Sequence, residues 1–96
     1  MHKIRIPDAV AALLRSLHPN LKKKTRAALR ILSTDPYEGK PLRDDLEGLK
    51  SYRIGRFLII YRVSAKKQIE VVAIGPRKRI YGETLRLLKK DTKKSS

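Results

Sequence analysis

The sequence predicts an α+β domain: an N-terminal strand and a two-helix hairpin packed on a twisted, mainly antiparallel β-sheet, with a short C-terminal helix. Three observations predict it. Apolar residues recur at helical spacing through the first third of the chain, strand-like runs fill residues 51–75, and Pro- and Gly-containing turns separate the segments. Ninety-six residues are enough for one core and too few for a second.

His2 to Ile6 alternates in the manner of a short strand. Pro7 ends it and suits the first position of a helix, where a missing N–H costs nothing. The next helix carries Val10, Leu13, Leu14 and Leu17 at helical spacing. His18-Pro19-Asn20 breaks it, and Asn20 is the expected N-cap of a second helix. There Leu21, Thr25, Ala28, Leu29 and Leu32 form one stripe, with Lys22, Lys23, Lys24, Arg26 and Arg30 largely off it. Residues 35–41 read as a loop.

From Ser51 the period becomes that of strands: Ser51 to Ile54, Phe57 to Val63 and Gln68 to Gly75. The connection Ser64-Ala65-Lys66-Lys67 is short enough to make the last two a hairpin. In the middle strand Leu58, Ile60 and Arg62 face one way, and Phe57, Ile59, Tyr61 and Val63 the other. The helical hairpin is expected to cover one sheet face and leave the other open. Ile80, Leu85, Leu87 and Leu88 belong to the short last helix, so residues 1–88 form the domain and 89–96 a basic, disordered tail.

Charge narrows the function. Twenty-four Lys and Arg oppose nine Asp and Glu, a formal net charge of +15. Such an excess repels itself and is matched by a polyanionic partner, nucleic acid first and an acidic protein second. No segment combines aromatic and basic residues on an amphipathic face, and no apolar run approaches a membrane span, so no membrane partner is expected. With no signal-like N-terminus and no cysteine, the expected setting is cytoplasmic.

The familiar catalytic patterns fail. There is no P-loop, GxGxxG, HExxH or cysteine nucleophile, and His2 and His18 read as surface residues. Asp44, Asp45 and Glu47 read as a turn, without a second ligand cluster for a metal. No cofactor and no metal are expected. What remains is Arg, Lys and Tyr on and after the sheet. Arg53, Arg56, Arg62, Arg77 and Arg79 could hold a phosphate chain, and Tyr52, Tyr61 or Tyr81 could stack on a base.

The order Lys40-Pro41-Leu42 through Leu46, Ser51-Tyr52-Arg53-Ile54, Ile59-Ile60-Tyr61-Arg62-Val63 and Ile74-Gly75-Pro76-Arg77 through Ile80-Tyr81 resembles the RelE/ParE superfamily. These are toxin halves of type II toxin–antitoxin pairs. The resemblance implies a ribosome-dependent mRNA endonuclease (an mRNA interferase that inhibits translation) using metal-independent attack by the 2′-OH. It also implies a catalytic set of Arg77, Arg56, Tyr81 and Arg53, with Arg62, Arg79, Lys50 and Lys78 binding substrate. The implied partners are a cognate antitoxin protein and mRNA in the ribosomal A site beside 16S rRNA. The alternatives within the same resemblance are a ParE-like poison that binds DNA gyrase without nuclease activity, and a degenerate basic RNA-binding module. One departure stands out: Leu58 fills the in-strand slot where RelE-like ribonucleases carry Arg. Arg56 is the nearer stand-in, because Arg62 lies about 13 Å along the strand.

Overall fold

The computed structural model describes residues 2–64 and 67–95, and of residues 90–95 the backbone alone. Its elements are β1 (Lys3–Arg5), α1 (Asp8–Ser16), α2 (Pro19–Thr34), β2 (Lys40–Pro41), a 3-10 turn (Asp44–Leu46), β3 (Lys50–Ile54), β4 (Phe57–Ser64), β5 (Gln68–Pro76) and α3 (Arg77–Ser95). The strands form one sheet in the order β1-β5-β4-β3-β2. All neighbours are antiparallel except β1, which lies parallel to β5. This is the expected α+β architecture. The three long strands fall within one residue of their expected ends. Ala65 and Lys66, half of the expected hairpin connection, lie outside the described residues.

Local chemistry sets the helix starts. Pro7 caps α1 from outside it, one position earlier than expected, and its carbonyl accepts from Ala11 N–H at 2.9 Å. The N-cap of α2 is His18, not Asn20: its Nδ1 accepts from the Asn20 N–H at 3.2 Å, and Pro19 takes the first helical position. Asn20 therefore supplies the donor that the cap satisfies. On α2, Thr25, Ala28, Leu29 and Leu32 are buried as the stripe requires, whereas Leu13 of α1 turns toward solvent. Lys40–Pro41, read from sequence as loop, is a two-residue edge strand on β3. Proline is tolerated there because an outer edge needs no N–H from it.

The expected open face does not exist. One core cluster, with Leu32, Ile59, Tyr61, Ile69 and Val71, lies between the sheet and the α1–α2 hairpin. A second, of Leu49, Leu58, Ile60, Ala73 and Ile80, lies under α3 on the opposite face. The physical reason is that Leu58 and Ile60 are as apolar as Ile59 and Tyr61 and need cover of their own. A bulge on β5 assists: Ile60 pairs with Ala73 and Tyr61 with Val71, leaving Val72 unpaired. Both Val72 and Ala73 then serve the α3 side. The last helix is also longer than expected. It starts at Arg77 and its backbone runs to Ser95, across the stretch read as a tail. The apolar residues Ile80 and Leu88 pack into the second cluster.

Tyr61 is fully buried and its hydroxyl is a structural clamp, which removes it from the base-stacking candidates. It donates to the Pro36 carbonyl at 2.8 Å and accepts from Gly39 N–H at 3.0 Å. Gly39 is required here because a Cβ would overlap the Tyr61 hydroxyl. Burial pushes the phenol above its ordinary value of 10; the Gly39 bond opposes this, and Asp35 and Glu38 add to it. A raised folded-state value means that the neutral phenol's contribution is complete below pH 10 and is lost as pH climbs through the folded value. Tyr61→Phe should cost about 1–3 kcal/mol at neutral pH, since two buried backbone groups lose their partner. Its stability should also decline less steeply than wild type above pH 10. Chemical denaturation across pH 7–11 checks both.

Candidate functional site

The hairpin turn between β3 and β4 brings the cations together. Ile54 pairs with Phe57, so Gly55-Arg56 is a two-residue turn, and Gly55 has φ +60°. A positive φ at the first turn position matches the right-handed twist of the strands and calls for glycine. The turn is fixed twice more. Arg53 Nε donates to the Gly55 carbonyl at 3.1 Å, and the Arg77 N–H donates to the Arg56 carbonyl at 2.9 Å. The second bond joins the tip of the β3–β4 hairpin to the first residue of α3.

Arg53, Arg56, Arg77, Lys78 and Arg79 consequently line one cleft of about 640 Å³, together with Gly55 and Pro76. A second cleft of about 450 Å³ adjoins it, sharing Arg53 and Arg77 and adding Glu38, Lys40, Ser51, Tyr52, Leu58 and Tyr81. The sheet register sets the spacing. Arg53 pairs with Leu58 and Leu58 with Gly75, so Arg53 lies two strand spacings, about 10 Å, from the strand that leads into Arg77. β4 runs between them, and Arg53, Leu58 and Arg77 all border the second cleft.

The electrostatics are one-sided. The first turn of α3 carries Arg77, Lys78 and Arg79 and no acid. Cations at a helix N-terminus oppose the helix dipole, each by about 0.3–1 kcal/mol at low ionic strength. No carboxylate lines the first cleft. Positive side chains and the positive helix end thus aim at the same space, an arrangement that an anion would stabilise.

Other expected site residues lie elsewhere. Arg62 is ion-paired with Glu70 of β5, and Arg5 of β1 approaches the same carboxylate at 4.0 Å. It projects from the α3 side of β4, but toward the far end of the strand, so it cannot stand in for the in-strand Arg. Lys50 lines neither cleft; its Nζ sits 5.4 Å from the centre of the Tyr37 ring. Leu58 is buried between Leu49, Ile60 and Ile80, with only its edge at the second cleft. Tyr81 is 38% exposed at that cleft and available to a ligand. Sequence reading passed over Glu38 and Lys40. The Gly39 between them, forced by Tyr61, was the available signal, because it fixes the loop against the sheet beside Arg53.

Residues 5–81 match the family model described as the ParE toxin of the type II toxin–antitoxin system parDE. The chain belongs to this toxin family. No curated protein sequence gives a significant match. Among solved structures, the RelBE2 toxin–antitoxin complex of Mycobacterium tuberculosis contains a chain 26% identical, with TM-score 0.71 over 79% of this chain and 98% of that one. The archaeal RelE–RelB complex from Pyrococcus horikoshii is also 26% identical, with TM-score 0.67 over 81% and 97% of the two chains. The isolated Escherichia coli RelE toxin shares the fold, with TM-score 0.70 at 16% identity over 92% and 99%. The protein is therefore a type II toxin of the RelE/ParE superfamily, and the arginine-lined clefts belong to a RelE-type fold. No helix among the described residues is long and apolar enough to cross a membrane.

Proposed function

We propose that this toxin is a ribosome-dependent mRNA endonuclease that cleaves by attack of a ribose 2′-OH on the adjacent phosphate. One observation carries the reading: Arg53, Arg56 and Arg77 converge with the N-terminus of α3 on a cleft without a carboxylate, beside an exposed Tyr81. In-line attack makes a phosphorane whose oxygens carry more negative charge than the ground-state diester. Cations fixed in advance stabilise that charge preferentially. Arg77, anchored through its own N–H, faces the phosphate; Arg53 and Arg56 neutralise it from the hairpin; Tyr81 stacks on or positions a base. Lys78 and Arg79 extend the positive track along the RNA. The partners under this reading are mRNA in the ribosomal A site and a cognate antitoxin. In support, the similar chain from M. tuberculosis belongs to a toxin–antitoxin complex and that from P. horikoshii to a RelE–RelB complex. The cytoplasm is the corresponding location.

Purified toxin incubated with programmed ribosomes is expected to yield RNA ending in a 2′,3′-cyclic phosphate and a new 5′-OH. Absence of that product at stoichiometric toxin rejects the reading. Binding to single-stranded RNA should weaken steeply with salt, and each cleft cation replaced by alanine should reduce the log–log slope by about 0.7. Fluorescence anisotropy from 50 to 300 mM salt measures it.

A second reading is favoured by Leu58, which is buried in the strand slot, and by the ParE description of the matching family model. Under it the toxin poisons DNA gyrase without chemistry of its own. Inhibition of gyrase supercoiling by a toxin that yields no RNA product would select it.

A further inference from the structure

We infer that Glu38 is the general base of the reaction, taking the proton from the attacking 2′-OH. This rests on the ribonuclease reading above and assigns it a residue. The cleavage needs a proton acceptor close to the cations that hold the phosphate. Guanidinium and ammonium groups are donors only, and a phenol is a weak acceptor near neutrality, whereas a carboxylate accepts. Glu38 is the one carboxylate among the residues that line either cleft. It shares the second cleft with Arg53, Arg77 and Tyr81.

The loop that carries it is held by four hydrogen bonds. The Tyr61 hydroxyl grips the Pro36 carbonyl and the Gly39 N–H, so the chain is clamped on both sides of Glu38. Within the loop, Glu38 N–H donates to the Asp35 carbonyl at 3.2 Å, and Tyr37 N–H donates to Asp35 Oδ1 at 3.2 Å. No cation lies within salt-bridge distance of the Glu38 carboxylate among the described residues, so its oxygens are free to accept from a ligand. The backbone is fixed by a buried group while the side chain is left exposed at the cleft. A base needs both properties.

Glu38 takes the 2′-OH proton as the 2′-oxygen bonds to phosphorus. The bond from phosphorus to the 5′-oxygen breaks, and that oxygen leaves with a proton from water. The hydroxide so formed then removes the proton from Glu38. The products are a 2′,3′-cyclic phosphate and a 5′-OH, with Glu38 restored.

The test is single-turnover cleavage on programmed ribosomes by wild type, Glu38→Gln and Glu38→Asp, with thermal unfolding of each. Two mRNAs are compared, one normal and one with sulfur replacing the 5′-bridging oxygen at the cleavage site. Glu38→Gln is expected to lose about 10²- to 10⁴-fold in rate on the normal mRNA. It should stay comparably impaired on the sulfur mRNA, because a thiolate leaves without an acid but the 2′-OH still needs a base. Glu38→Asp, which keeps a carboxylate, should exceed Gln at least about tenfold, whatever small change in stability the substitutions share. A Gln variant within threefold of wild type overturns the assignment and leaves the ribonuclease reading intact. So does a slow Gln variant restored by sulfur, which would make Glu38 an acid. Wild type that cuts neither mRNA overturns both together.

Discussion

Replacing Arg77 with alanine is expected to slow mRNA cleavage on programmed ribosomes by about 10²-fold or more, with little loss of stability. The side chain is exposed at the first position of α3, and the bond that anchors the helix start is made by the Arg77 backbone N–H to the Arg56 carbonyl. Alanine retains that N–H and is the best helix former, so the fold keeps its anchor while the cleft loses a cation. Arg77 lines both clefts, hence its removal touches phosphate binding and the neighbourhood of Tyr81 and Glu38 together. Arg62→Ala is the matched control. It removes the same charge from the same sheet, but its partner is Glu70 on the far part of β4 and β5. Exposed ion pairs contribute about 0–1 kcal/mol, so Arg62→Ala should leave both cleavage and stability close to wild type. Equal losses in the two variants would mean that total charge, and not the cleft, drives the activity.

Ile80→Ala is expected to be the more damaging change to the fold, at about 2–5 kcal/mol. Ile80 is fully buried and is the residue by which the first turn of α3 enters the cluster of Leu49, Leu58, Ile60 and Ala73. A cavity there cannot close easily, because Thr84 beneath it is also fully buried, its hydroxyl donating to the Ile80 carbonyl at 2.7 Å. For a domain of this size the melting temperature should fall by roughly 10 °C or more. The same side chain sits between Arg79 and Tyr81 in sequence, so cleavage should fall along with stability as the helix start loosens. Differential scanning calorimetry alongside the cleavage assay measures both. A melting temperature within 2–3 °C of wild type would show that α3 does not depend on this contact.

The strands were legible because their period is simple. Ile59, Tyr61 and Val63 against Leu58 and Ile60 announce two opposite faces, and both are packed. What the alternation left unsaid was the cover for the second face. Residues 77–95 hold few apolar side chains between many charges, so only tertiary packing of Ile80, Thr84 and Leu88 turns this stretch into a long helix over the sheet. Arg53, Arg56, Arg77, Lys78 and Arg79 could be gathered from sequence because a two-residue hairpin turn and a strand end must lie at the same edge of an antiparallel sheet. Arg62 and Lys50 could not be rejected that way. Strand parity puts Arg62 on the correct face, the strand rise alone sets it about 13 Å from the Leu58 slot, and the register adds that it lies opposite Glu70. Lys50 follows the parity of Tyr52 and Ile54, opposite to Arg53, and it rests over Tyr37. Tyr61 resembled a base-stacking residue until its hydroxyl was seen to be occupied by Pro36 and Gly39. Glu38 escaped notice because composition ranks an acid in a basic protein as a solvated exception. Its place depends on that same clamp.

Whether the arginine cleft cuts translated RNA can be read from RNA 5′ ends mapped across the transcriptome after brief induction. Wild-type toxin should generate new 5′-OH ends inside translated codons, and Arg77→Ala, expressed to the same level, should generate almost none. Growth arrest by the wild type without any such ends would contradict the ribonuclease reading and transfer the case to gyrase.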